Sequence, residues 1–292
     1  MNTIKLYLRL LRPHQYLKNF FIFMPLFFSL KITNFPVLIS TLMIFISFSM
    51  IASSIYIFND YYDAPEDRHH PKKKNRPIAS GEIPERSALS LMIAFLASGL
   101  ASSYLIGGKT VSAFVLGYVV LNISYTLKLK QIAIIDIFII AIGFILRLFI
   151  GAQVGHVALS IWIIIMTFLL ALFLALTKRR DDIIIYEESG TKVRKAIEGY
   201  NIEFLNASMI IMTSVIIVSY IMYTLSSEVI GKLHSDKLYI TVLFVILGIM
   251  RYLQITLVEK MSDSPTEVLI KDRFLQITIL GWFLTFVFLL YF

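Results

Sequence analysis

Long apolar blocks separated by short charged ones make up the whole chain. Uninterrupted apolar runs occupy about 37–58, 88–106, 110–127, 131–150, 158–177, 204–225, 238–258 and 274–292, and a shorter one, FFIFMPLFF, begins at Phe20. Each of the long runs is close to the ~20 residues that a helix needs to cross ~30 Å of hydrocarbon. Backbone polar groups cannot go unpaired in lipid, and these runs are continuous rather than alternating, so helices are expected and a β-barrel is not. With the run at Phe20 the pattern predicts nine transmembrane helices, the first of them kinked at Pro25. Ahead of it, Lys5, Arg9, Arg12 and Lys18 fall among Ile4, Leu8, Leu10 and Leu11, a spacing that suits a short amphipathic helix lying on the membrane surface. No small-residue cleavage site follows FFIFMPLFF, so the first helix is expected to be retained. The expected fold class is therefore all-α, a polytopic membrane protein with one domain over residues 1–292.

Composition narrows the chemistry. With 58% hydrophobic and 16% charged residues and a mean hydropathy of +0.78, the chain lies outside the range of soluble domains. The absence of cysteine excludes disulfides, thiolate metal sites and cysteine nucleophiles. A net charge of +8 could indicate nucleic acid, but in a membrane chain cytoplasmic loops rich in Lys and Arg account for it. Placing the N-terminus inside puts 21 of the 27 lysines and arginines on the cytoplasmic face. Only Lys31, Lys109, Lys232 and Lys237 fall outside, with Arg147 and Arg251 within spans. That imbalance sets the orientation, with the two long charged loops, 59–87 and 178–203, both cytoplasmic.

Candidate chemistry gathers in those loops. In NDYYDAPED, Asn59, Asp63 and Asp67 are four apart and Asp60 and Asp63 three apart, so on a helix most of their oxygens share a face. Pro65 is expected to end the helix and turn Asp67 into the loop. Oxygen ligands without His or Cys suit Mg2+, which takes few protein carboxylates and completes its octahedron with water and phosphate oxygens. The following RHHPKKKNRPIASG supplies Arg68, Lys72, Lys73, Lys74 and Arg76, cations fit for a diphosphate, although the positive-inside rule explains individual lysines equally well. His69 and His70 read as polar loop residues. At the cytoplasmic end of the fourth span Tyr125 and Lys128 join the substrate-binding candidates. Asp136 sits ~7 Å into the fifth span, an expensive place for a carboxylate unless it faces a polar cavity. Arg147, three turns on, shares its helical face, so the two could form a structural pair. TKRRDD repeats the first arrangement with the signs reversed, offering Lys178, Arg179, Asp181 and Asp182. Lys18, beside Asn19, is placed to reach a phosphate from the N-terminal side. Arg251 reads as a snorkelling residue, and His156 and His234 receive no role.

Four stretches, LRPHQYLKNFFIFMPLFF, NDYYDAPEDRHHPKKKNRPIASG, YTLKLKQIAIIDIFIIAIGFILRLFIGA and RYLQITLVEKMSDSPTEVLIKDR, together resemble the UbiA superfamily of intramembrane prenyltransferases. Within it they are most similar to the decaprenyl-phosphate phosphoribosyltransferase branch. The N-D-x-x-D-x-x-x-D motif carries the likeness to the superfamily, and the RPIASG extension and the late PTEVLIKDR carry that to the branch. The resemblance implies a nine-helix bundle with a lateral opening to lipid and Mg2+ held at Asn59, Asp60, Asp63 and Asp67. It implies 5-phosphoribosyl diphosphate (PRPP) as donor and a decaprenyl-like polyprenyl phosphate as acceptor, with membrane lipids as surroundings and no nucleic acid. The product would be a lipid-linked phosphoribose for cell-envelope synthesis at the cytoplasmic membrane. Arg68, Lys74, Arg76, Lys178 and Arg179 would then assist the leaving diphosphate. Lys18, Lys128 and Arg147 would position the lipid phosphate, and Asp136 would stabilise developing positive charge or hold a ribose hydroxyl. One departure stands out: prenylating members carry a second spaced Asp motif after the sixth helix, where this chain has only adjacent Asp181 and Asp182. Two other readings remain open, a prenyltransferase acting on an aromatic or quinone-precursor acceptor and a transporter of an anionic metabolite. A homo-oligomer is neither required nor excluded.

Overall fold

Helices account for all the regular structure among the described residues of the computed structural model, which are 3–69, 73–189, 195–233, 235–259 and 265–291. His70, Lys72, Lys192, Arg194, His234 and Lys260 lie outside them. In chain order the α-helices are α1 (Thr3–Leu11), α2 (Met24–Phe28), α3 (Phe35–Asp67), α4 (Glu85–Leu127), α5 (Ile135–Val154), α6 (Ile161–Ser189), α7 (Ile202–Leu225), α8 (Ser227–Leu233), α9 (Val242–Leu257), α10 (Pro265–Lys271) and α11 (Arg273–Tyr291). Seven helical stretches among the described residues, built on α3, α4, α5, α6, α7, α9 and α11, are long and apolar enough to cross a bilayer. Large apolar side chains such as Leu105, Ile277 and Phe288 stand exposed along them, as lipid-facing residues do. The chain is a multi-pass membrane protein.

Two expected runs, 88–106 and 110–127, fall within α4. A continuous helix of 43 residues would be ~65 Å long, about twice the hydrocarbon thickness. It is interrupted at Gly108, whose φ of 66° and ψ of −161° only a residue without Cβ adopts cheaply, so each expected run lies on its own side of the break. The first run differs from expectation. Residues Pro13–Phe23 form a 3-10 helix and α2 follows, with Pro25 in its first turn. A helix start needs no N–H from its first residues, so Pro25 opens a helix instead of kinking one. Pro65 likewise does not end α3. The helix continues to Asp67, and the Arg68 N–H closes a further turn on the Ala64 carbonyl at 3.1 Å.

The chain divides into two compact units, Met1–Lys130 with Gly143–Leu159, and Gln131–Ile142 with Ser160–Phe292. In the first, Ile22, Ile44, Phe48, Ile51, Val111, Val115 and Ile150 form a core from α3, α4, α5 and the 3-10 segment. A Cβ on Gly151 would lie 1.9 Å from the Ile22 carbonyl oxygen, so glycine is what lets α5 touch that backbone. Gly151→Ala is therefore expected to lower stability by about 1–3 kcal/mol, read as a drop in the unfolding midpoint of the detergent-solubilised protein; an unchanged midpoint would contradict this contact. A second cluster, Leu10, Ile57, Ala64, Ile78, Ile83 and Ala88, takes the apolar face of α1 and anchors the RPIASG segment through Ile78 within it and Ile83 two residues beyond it.

The second unit is tied together by side chains. Trp282 Nε1 donates to the Tyr220 hydroxyl, which also bonds Thr241, both at 2.7 Å. Arg180 donates to Asn206 Oδ1 at 2.9 Å and to the Thr256 carbonyl at 2.7 Å. Arg251 does not snorkel: it meets Asp272 at 2.7 Å and Glu259 at 2.6 Å. The turn between α10 and α11 brings Asp272 to it, and the same carboxylate caps α11 through the Leu275 N–H at 2.8 Å. The bond from Arg251 is the largest of the effects that hold the Asp272 carboxyl below its ordinary range.

Candidate functional site

Arg12 is where the first site begins. Pro13 disfavours the α region for the residue before it, so α1 stops at Leu11 and Arg12 takes a left-handed conformation, φ 55° and ψ 56°. Such backbone costs about 1 kcal/mol in a residue with a Cβ. It delivers the Arg12 guanidinium to Asp60 Oδ1 at 2.6 Å and over the Tyr56 ring. Asp60 lies 1% exposed on α3, and Arg76 Nη1 reaches the same Oδ1 at 3.1 Å and Asp67 Oδ2 at 2.6 Å. Asp60 and Asp67 are two helical turns apart, so one guanidinium spans both. Ile78 and Ile83, buried beneath the RPIASG turn, fix Arg76 over that face. Asp63, on the neighbouring strip of the helix, takes Lys130 instead, and the same ammonium rests over the Tyr62 ring.

Arg12, Asp60 and Arg76 floor a cavity of about 450 Å³ between α1 and the segment carrying Asn75 and Arg76. Lys5, Arg9, Arg12 and Arg76 line it with His14, and Asp60 contributes the one carboxylate. Its volume is within the range of small-ligand sites. Four cations against one carboxylate make it a place for an anion. Asp60 Oδ2 is buried and has no hydrogen-bond partner among the described residues. A buried carboxylate oxygen left unsatisfied is costly, and a hard cation satisfies it well. No group of three or more His, Asp or Glu among the described residues is gathered into a ready-made metal cage. Mg2+ does not require one, because one or two carboxylates and substrate phosphates complete its shell. The residues present therefore fit Mg2+ arriving with a phosphate compound.

The remaining candidates of the first unit spread outward. Asn59 is half-buried beside Asp60. Arg68 turns away to the exposed Glu85 at 3.4 Å, and Lys74 is exposed. Tyr125 is half-buried near the end of α4. Lys128 is exposed just past it, and Lys130, not Lys128, meets the Asp cluster. Lys18 is half-buried and makes no hydrogen bond or ion pair among the described residues. Its neighbour Asn19 accepts from Arg147 Nε at 2.9 Å and donates to Ser49 at 2.9 Å. Arg147 is buried, bonds the Gly143 carbonyl at 2.7 Å and Tyr118 at 3.0 Å, and lies against the Phe48, Tyr118 and Phe144 rings. It is not Asp136's partner, as a shared helical face had allowed.

Asp136 belongs to a cluster of the second unit. Arg179 Nε donates to its Oδ2 at 2.5 Å and the Tyr200 hydroxyl to its Oδ1 at 2.7 Å, so both oxygens are satisfied in full burial. Tyr200 also accepts from the Ile134 N–H at 2.6 Å. Burial above all, then the bond to Asp136, holds the Tyr200 phenol protonated to high pH and keeps it a donor. Arg179 Nη1 binds Asp182 Oδ2 at 2.9 Å, Asp181 is buried, and Lys178 is exposed.

Sequence reasoning missed Lys5, Arg9, Arg12 and Lys130 as site residues, and it passed over Tyr200. The signal for Lys5, Arg9 and Arg12 was present, since spacings of four and three put them on one face of α1. For Lys130, alternation with Lys128 in LKLK left the choice open, and nothing local marked Tyr200.

Residues 20–277 match the UbiA prenyltransferase family. A decaprenyl-phosphate phosphoribosyltransferase from Corynebacterium glutamicum is 30% identical over 278 residues, 94% of this chain and 83% of that protein. Another of the same name from Mycolicibacterium smegmatis is 30% identical over 244 residues, 82% of this chain and 76% of the relative. Among solved structures, a UbiA homolog from Archaeoglobus fulgidus bound to DMAPP and Mg2+ superposes with a TM-score of 0.70 at 21% identity, covering 97% of this chain and 99% of that one. The fold is thus that of a UbiA homolog, and the family match extends over most of the sequence. The chain belongs to the UbiA prenyltransferase family.

Proposed function

We propose that this protein transfers 5-phosphoribosyl from PRPP to a decaprenyl-like polyprenyl phosphate and releases diphosphate. The observation that carries the reading is the cationic cavity whose floor is Asp60, with one oxygen bound by Arg12 and Arg76 and the other unpartnered among the described residues. The curated names of the 30%-identical relatives support the same substrates. Asp60, with Asp63, Asp67 and Asn59 near it, would hold Mg2+, which would supply charge neutralisation to a leaving diphosphate. Arg12 and Arg76 donate to phosphate oxygens beside Asp60. The ribose C1–O bond breaks with its electron pair going to the diphosphate, and a lipid-phosphate oxygen closes the new bond at C1. An acceptor that is already an anion needs no strong base, only positioning, for which Lys18 and Arg147 are assigned. In the second unit Asp136, satisfied by Arg179 and Tyr200, is assigned a positioning role.

Residues 1–292 are taken to act as one domain in the cytoplasmic membrane, with the N-terminus and the site facing the cytoplasm. The competing reading, transfer of a prenyl group from its diphosphate to an aromatic acceptor, is favoured by the family's name and by a fold neighbour bound to DMAPP. Incubating purified protein with Mg2+, PRPP and polyprenyl phosphate is expected to yield lipid-linked phosphoribose. Product from a prenyl diphosphate and an aromatic acceptor, with none from PRPP, would reverse the assignment.

A further inference from the structure

We infer that Lys18 receives the phosphate head of the acceptor lipid, and that Arg147, kept without a carboxylate, makes this subsite choose that head by its negative charge. The inference rests on the reading above and deepens it from which acceptor is used to how it is chosen. Arg147 stands in α5, within a stretch that spans the bilayer, where a charged side chain is costly unless something compensates it. Its nitrogens donate to Asn19 Oδ1, the Gly143 carbonyl and the Tyr118 hydroxyl, and the rings of Phe48, Tyr118 and Phe144 lie against it. All of these partners are neutral, and among the described residues no carboxylate pairs with it. Hydrogen bonds and ring faces orient a guanidinium without cancelling its charge.

Lys18 is the residue next to Asn19 and makes no hydrogen bond or ion pair among the described residues. Burial above all, then the charges of Arg147 and Arg12, lowers its ammonium to about 8, so both guanidinium groups lie within electrostatic reach of it. Arg12 is neutralised by Asp60 at the floor of the donor cavity, whereas Arg147 is not neutralised. If Arg147 served packing alone, an aspartate at position 19 would hold it equally well and offset its charge. Asparagine, of the same shape, holds the guanidinium and leaves its field to act on a ligand. Arg147 and Asn19 are thus positioning residues, and Lys18, a compact point charge, is the group that meets the anion. The chemistry recognised is a phosphate monoester dianion carried on a lipid. The acceptor supplies it, and phosphatidic acid in the bilayer has the same head.

The test uses the full chain in nanodiscs of zwitterionic lipid, with KM measured separately for PRPP and for polyprenyl phosphate. Lys18→Ala is expected to raise KM for polyprenyl phosphate about tenfold and to leave that for PRPP unchanged, with Lys18→Arg recovering most of the loss. Asn19→Asp keeps an oxygen for Arg147 but adds the missing counter-charge. It is expected to raise the acceptor KM by a similar factor while the unfolding midpoint stays level or rises, an outcome that a purely structural role for Arg147 would not give. An unchanged acceptor KM in both variants, or equal increases for both substrates, would overturn the inference and leave the phosphoribosyl reading intact. So would competition by phosphatidic acid as strong as that of an equal amount of unlabelled acceptor, which would assign Lys18 to bulk headgroups. Wild-type protein that forms no lipid-linked phosphoribose would remove the functional reading and this inference together.

Discussion

Asp60→Asn is expected to lower turnover by about 10²–10³-fold, with loss of Mg2+-dependent protection of the protein by PRPP against thermal unfolding. The amide keeps one acceptor oxygen for Arg12 but loses the charge that two guanidinium groups share. It also replaces the buried Oδ2 by an amide group unable to ligate a hard cation as a carboxylate does. Asp67→Asn serves as comparator: it removes one partner of Arg76 but leaves Asp60, so its effect is expected to be smaller. Comparable turnover in Asp60→Asn and wild type would show that the cavity floor takes no part in the reaction, whatever binds above it.

The second large effect is on stability. Arg179→Met would leave Asp136 fully buried with, among the described residues, only the Tyr200 hydroxyl, and removing one partner of a buried pair costs about 3–5 kcal/mol. Adding Asp136→Asn in that background is expected to recover a good part of the loss, because the uncompensated charge goes with it. The cycle, read in unfolding midpoints, separates two jobs for Asp136. If Asp136→Asn alone unfolds the protein no more than a surface change while abolishing turnover, the carboxylate acts in the reaction. Additive losses in the double variant would mean that the pair is not coupled.

The outcome for particular elements shows where sequence reading reached. The apolar runs lie in helices because lipid leaves the backbone no other way to satisfy its polar groups, and that constraint depends on length and composition alone. Even the break in α4 was legible as two runs with glycines between them. The prolines were not, because a proline's effect depends on which turn of a helix it enters. Pro25 opens α2 and Pro65 sits inside the last turn of α3. The Asp motif could be found from its spacing, but its division could not: Asp60 and Asp67 share Arg76, whereas Asp63 goes to Lys130. Arg68 was as good a candidate as Arg76 by sequence. Burial of Ile78 and Ile83 holds the latter in place, and nothing comparable holds Arg68.

By itself the sequence determined the solvent, the secondary structure class, the oxygen-only donor set and the excess of positive charge. All of these follow from composition and from periodicity within one helix. The tertiary structure alone decided partners: Arg12 for Asp60 across 48 residues, Asn19 for Arg147 across 128, and Tyr200 for Asp136 across 64. Pairings at such separations depend on which helix faces pack together, and in a chain apolar nearly all round, the sequence pattern does not say which face that is.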